Sequence, residues 1–99
     1  MRRASDGCLS LSRWATGAGT VSAAGSERNL FEHMFLVQLR NARGAVVGRR
    51  SVAAAGGRWS TKVAYHVSHR QAGTLEAVDL SEGDGSLVCL AQVKIILRH

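Results

Sequence analysis

The chain has 99 residues, 45% hydrophobic and 20% charged, with a formal charge of +6, which fits one globular domain and leaves no room for two. Pro is absent and Gly numbers 11, where average usage would give about five prolines. Collagen, proline-rich linkers and polyproline ligands are therefore excluded, and turns fall to Gly, Asn, Asp and Ser.

Residues 1–18 are polar, small and mixed in sign, anchored by Cys8, Leu9, Leu11 and Trp14. They are expected to be poorly ordered or to make a short first strand, ahead of a domain spanning residues 19–99. Leu9 and Leu11 alternate with Ser10 and Ser12, and Thr16-Gly17-Ala18-Gly19 reads as a turn. In Phe35-Leu36-Val37-Gln38-Leu39-Arg40 the residues Phe35, Val37 and Leu39 share one face, with Gln38 and Arg40 on the other, as in a half-buried strand. Asn41-Ala42-Arg43-Gly44 is a turn in which Gly44 supplies a positive φ. Ala53-Ala54-Ala55-Gly56-Gly57 breaks the chain again. Residues 58–67 alternate most clearly, with Trp59, Thr61, Val63, Tyr65 and Val67 on one face. After a polar stretch over residues 68–73, a strand is expected at 75–80 and another at 87–97, where Val93, Ile95 and Leu97 face one side. About seven strands with turns roughly every ten residues and no amphipathic helix predict an all-β antiparallel sandwich, not a parallel sheet with crossovers.

Arginine supplies eleven of the thirteen basic residues, and a net positive field attracts polyanions. The arginines are scattered, however, and the longest basic run is two, which reads as a solvated surface. Cys8 and Cys89 match neither a zinc pattern nor a redox pair and are expected as free thiols, although a disulfide between first and last strands is conceivable. No stretch reaches the length of a membrane span, and the basic N-terminus lacks an apolar run behind it, so no signal peptide is expected in this chain.

With the strands placed, residues 30–97 resemble the immunoglobulin-like domain of bacterial spore germination. The resemblance rests on landmarks in order: Phe31-Glu32 before the Phe35 strand, the Asn41-Ala42-Arg43-Gly44 turn before Val46-Val47, Trp59 opening the next strand, Gly73-Thr74-Leu75-Glu76, the Ser81-Glu82-Gly83-Asp84-Gly85-Ser86 hairpin, and the closing Val93, Ile95 and Leu97. The family usually carries prolines that this chain lacks, with Lys94 standing where one is common. The resemblance implies an immunoglobulin-like antiparallel β-sandwich in an envelope or germination context, with no catalytic residue to carry over.

No enzyme, cofactor or metal site is expected. His33, His66, His69 and His99 lack ligand spacing, and Glu82 with Asp84 reads as turn chemistry because calcium needs more oxygen ligands. The serines form no nucleophile elbow, and Gly17-Ala18-Gly19 lacks the Lys and helix of a phosphate loop. Phe35, Trp59 and Tyr65 belong to the core, which leaves Trp14 as the aromatic to watch. The candidate contact residues are Glu32, Arg40, Asn41, Arg43, Arg49, Arg50 and Asp84, on loops at residues 41–44, 68–73 and 82–85 or at sheet edges. The expected partner is a protein or an envelope polymer. The alternative is a basic polyanion-binding domain using Arg40, Arg43, Arg49 and Arg50, with nucleic acid the less favoured polyanion. A third reading is an edge-strand homodimer through the long last strand.

Overall fold

The computed structural model describes residues 9–27, 34–53, 57–80 and 87–99. Seven strands run along them: β1 (Leu9–Gly17), β2 (Thr20–Glu27), β3 (Met34–Arg40), β4 (Val46–Ala53), β5 (Arg58–Ala64), β6 (Gln71–Leu80) and β7 (Leu87–Leu97). They form a three-stranded sheet in the order β1-β2-β5 and a four-stranded sheet in the order β4-β3-β6-β7. Every pairing within the two sheets is antiparallel. The expected all-β sandwich of about seven strands is what the chain adopts.

The core lies between the sheets and is built from alternate residues, because a strand turns successive side chains to opposite faces. The four-stranded sheet contributes Phe35, Val37, Leu39, Leu75, Ala77, Ile95 and Leu97. The other sheet answers with Leu9, Leu11, Val21, Ala23, Trp59 and Val63. The Phe35 and Trp59 rings meet edge to face with centroids 5.2 Å apart, a geometry that aligns the positive ring edge with the negative face. Leu9, Leu39, Leu75 and Leu97 are among the side chains sealed from solvent, and each such burial stabilises by about 1.5–3 kcal/mol.

Three local differences from the sequence expectation have physical causes. The alternating segment at residues 58–67 ends as a strand at Ala64, because Thr20↔Ala64 is the last rung with β2; beyond it, the Tyr65 N–H donates to the Gly19 carbonyl at 3.0 Å. Tyr65 and Val67 are nonetheless buried as expected. β6 begins at Gln71 and not at residue 75, so Gly73 lies within a strand, opposite Ile95, and the loop before it is residues 65–70. A Cβ at Gly73 would stand 2.6 Å from the Arg40 carbonyl oxygen and 2.7 Å from Leu97 Cδ1, so this glycine serves close packing, not a turn. Finally, Gln38 is only 5% exposed despite its place on the outer face.

β1 carries an irregularity that matters for its surface. Its register with β2 shifts between Leu11 and Arg13, and one extra residue in a strand reverses the parity of everything after it. Leu9 and Leu11 face the core, yet Arg13 pairs with the outward Ala24 and Trp14 with the inward Ala23.

Candidate binding surfaces

The outer face of the four-stranded sheet carries a polar row set by register. Arg49, Gln38, Glu76 and Gln92 lie side by side across β4, β3, β6 and β7. Arg49 Nε donates to Gln38 Oε1 at 3.2 Å, and Gln38 Nε2 donates to Glu76 Oε1 at 2.8 Å. Arg40 Nε donates to the same Glu76 oxygen at 2.9 Å. The buried Gln38 amide is therefore satisfied at both ends, as burial of a polar group requires. Arg40 also donates through Nη1 to the Gly44 carbonyl at 2.8 Å.

This arrangement places the sequence-predicted residues. Arg40 and Arg49 are joined through Glu76 and Gln38, two partners that the sequence reading did not single out. Arg43 is exposed on the turn. Arg50 is also exposed but pairs with the inward-facing Val37, on the opposite side of β4 from Arg49. Arg40, Arg43, Arg49 and Arg50 thus do not share one face. Glu32, Asp84 and the hairpin at residues 81–86 lie outside the described residues, as does the question of a Cys8–Cys89 pair.

Asn41 builds the turn it was expected to mark. Its Oδ1 accepts the Arg43 and Ala45 N–H groups at 2.9 and 3.0 Å, and its carbonyl accepts the Gly44 N–H at 3.0 Å. Gly44 sits at φ 86, a conformation that penalises a side chain. Gln71 ties this turn to the neighbouring loop, accepting the Ala42 N–H at 3.0 Å and donating to the His69 carbonyl at 3.2 Å. His66, His69 and His99 are exposed. Among the described residues, no group of three or more His, Cys, Asp or Glu side chains is placed to hold a metal ion.

The outer face of the three-stranded sheet is different in character. Register sets Arg13, Ala24 and Ser60 in one row and Ala15, Ser22 and Lys62 in the next. Small side chains on the central strand leave a shallow trough of about 680 Å³ with Arg13 on one side and Lys62 on the other. A second hollow continues from it toward Arg58. A third lies across the β1 edge, between Trp14 and the Lys94, Ile96 and Arg98 side of β7, with Arg70 beside it. Among the described residues, no Asp or Glu lines any of the three. Trp14 lines both the trough and the edge hollow and is 41% exposed.

Two antiparallel sheets closed face to face over an aliphatic and aromatic core define an immunoglobulin-like β-sandwich. The model of one family, the immunoglobulin-like domain of bacterial spore germination, matches residues 14–86, and the chain belongs to that family. The match starts within β1 and stops before β7, so it reaches further toward the N-terminus than the landmarks over residues 30–97. No curated protein and no solved structure matches the chain. Among the described residues, no helix is long and apolar enough to cross a membrane.

Proposed function

We propose that the chain is a non-catalytic binding or scaffolding module that acts at the spore or cell envelope during germination. The observation that carries this reading is the family match over residues 14–86. The fold is consistent with it: both sheets spend their inner faces on the core, which leaves outer faces, edges and loops for recognition. The test is germination of spores lacking this chain, with and without restoration of the wild-type protein. Slowed germination that the wild-type chain restores supports the reading, and unchanged kinetics with no envelope association of the protein overturns it.

A second reading, polyanion binding, is favoured by one observation. Basic residues line the trough, the hollow beside it and the β1 edge, with no carboxylate among the described residues that line them. That distribution favours the three-stranded sheet over the Arg40 to Arg50 region, where Glu76 offsets part of the charge.

A further inference from the structure

We infer that the outer face of the three-stranded sheet and the adjoining β1 edge form the seat for a linear acidic polysaccharide, with Arg13 and Lys62 holding its anionic groups and Trp14 packing against a sugar ring. The inference rests on the polyanion-binding reading and gives it a location and a ligand class.

Three features converge there. First, the charges are placed on the flanks. Arg13 stands on β1 and Lys62 on β5, while the central strand between them offers Ser22 and Ala24. The two flanking strands are about 10 Å apart, twice the spacing of paired strands, so an extended chain lying between them meets cations on both sides and a floor of methyl and hydroxyl groups. Second, the positive surface continues around the β1 edge, where Lys94 and Arg98 line the adjoining hollow. A charged polymer longer than the trough therefore stays in a favourable field as it leaves it. Third, Trp14 is the lining residue common to the trough and the edge hollow, and it is partly open to solvent.

The exposed aromatics among the described residues favour one polymer class over the other. Single-stranded nucleic acid is bound by successive bases stacking on several aromatic side chains along a basic groove. Here Phe35, Trp59 and Tyr65 are buried in the core, and Trp14 is the exposed aromatic among the described residues. One ring set among spaced cations suits a polymer whose affinity comes from repeated charge with a single apolar sugar face packed against the indole.

The experiment measures binding of polygalacturonate to the full chain across a salt series, with oligo(dT) of matched charge as the competing polyanion. Arg13→Ala combined with Lys62→Ala is expected to weaken polygalacturonate binding about tenfold or more at low salt and to flatten the salt dependence, because two counterion-releasing contacts are lost. The charge-matched control, Arg43→Ala with Arg50→Ala, is expected to change affinity less than about twofold, since those residues lie elsewhere and long-range effects are screened. Trp14→Ala is expected to weaken binding about fivefold. Trp14→Phe should retain most of the affinity but abolish the fluorescence change on binding, because the remaining Trp59 is buried. Circular dichroism checks that each variant is folded. Tighter binding of oligo(dT), equal losses in the two double variants, or a fluorescence response that survives Trp14→Phe each overturns the proposed site. Absence of polygalacturonate binding at low salt while oligo(dT) binds overturns the proposed ligand and leaves the polyanion reading, absence of binding to both polymers overturns the two together, and the germination test stands independently of either.

Discussion

The Tyr65 hydroxyl accepts the Arg98 backbone N–H at 2.8 Å and so ties the segment after β5 to the end of β7. The same hydroxyl donates to the Gly17 carbonyl at 2.7 Å, with the Arg98 carbonyl a further acceptor at 3.1 Å. One side chain thereby joins both sheets at the end where Ala18 bridges Arg98 in parallel. Tyr65→Phe keeps the buried ring but leaves backbone groups without their partner. The Gly17 and Arg98 backbone groups are only partly shielded, so the expected loss is about 0.5–1.5 kcal/mol, the net contribution of an ordinary hydrogen bond. Urea unfolding should show a lower midpoint with an unchanged slope, and an unchanged midpoint would show the clasp to be inert.

The Gln38–Glu76 pair makes a second prediction. Glu76→Ala removes the acceptor of both Gln38 Nε2 and Arg40 Nε. Because Gln38 is buried, the expected cost is about 1–3 kcal/mol. Combining it with Gln38→Ala should cost less than the sum of the single changes by about 0.5 kcal/mol or more, as for residues in one network. The Arg40 contribution is smaller, because its side chain is 38% exposed against 12% for Glu76, and exposed ion pairs stabilise little. Strict additivity in the cycle would contradict the network.

How much of this was legible in the sequence depends on the range of the interactions. The turn at Asn41 is written in four adjacent residues, since Asn, Gly and the hydrogen bonds between them are local, and the positive φ expected at Gly44 is the one it adopts. Val93, Ile95 and Leu97 were readable for the same reason: alternation needs no knowledge of the partner strand. Gln38 was assigned to the outer face correctly but not as buried, because Arg49 and Glu76 are brought beside it only by the registers of β4 and β6. Trp14 depended on a feature that alternation hides. Simple parity from Leu9 and Leu11 would turn Arg13 inward, and only the register shift before Arg13 puts that charge on the trough and leaves Trp14 at the edge. Arginines are dense in sequence between Arg40 and Arg50, whereas Arg13, Lys62 and Lys94 come from three separate strands, so their nearness to the trough and the β1 edge is a product of topology that no sequence run displays.

Two glycines should respond to alanine through different mechanisms. At Gly73 a Cβ would press on the Arg40 carbonyl and on Leu97, so Gly73→Ala must displace a buried side chain and a strand, at an expected cost of about 1–3 kcal/mol. At Gly44 nothing lies within 4 Å of a Cβ, but φ is +86, so Gly44→Ala carries only backbone strain of about 1–2 kcal/mol. Gly44→Asn separates the two causes, because Asn tolerates the left-handed conformation better than Ala. Thermal unfolding of the three variants should place Gly44→Asn nearest to wild type. Equal losses for Ala and Asn at residue 44 would remove the strain explanation.

Asp79 carries a pH prediction. It pairs with Cys89 near the end of β6 and is half-buried, and desolvation raises its pKa above the ordinary 3.8. Burial penalises the carboxylate, so the folded chain holds this proton more tightly than the unfolded one. Well below pH 3.8 both states are protonated and the contribution of Asp79 to stability is fully present. As pH rises, the unfolded chain ionises first and gains stability relative to the fold; the loss grows until pH passes the raised folded value and is constant above it. Asp79→Asn removes this titration. The stability of the variant relative to wild type should therefore be greater at pH 7 than at pH 3, measured by urea unfolding at both. Taking the difference between the two proteins at each pH cancels the titration of Glu76 and the remaining carboxylates. A difference that stays constant with pH, or that favours wild type more at pH 7, would mean that Asp79 is not held in a desolvating environment.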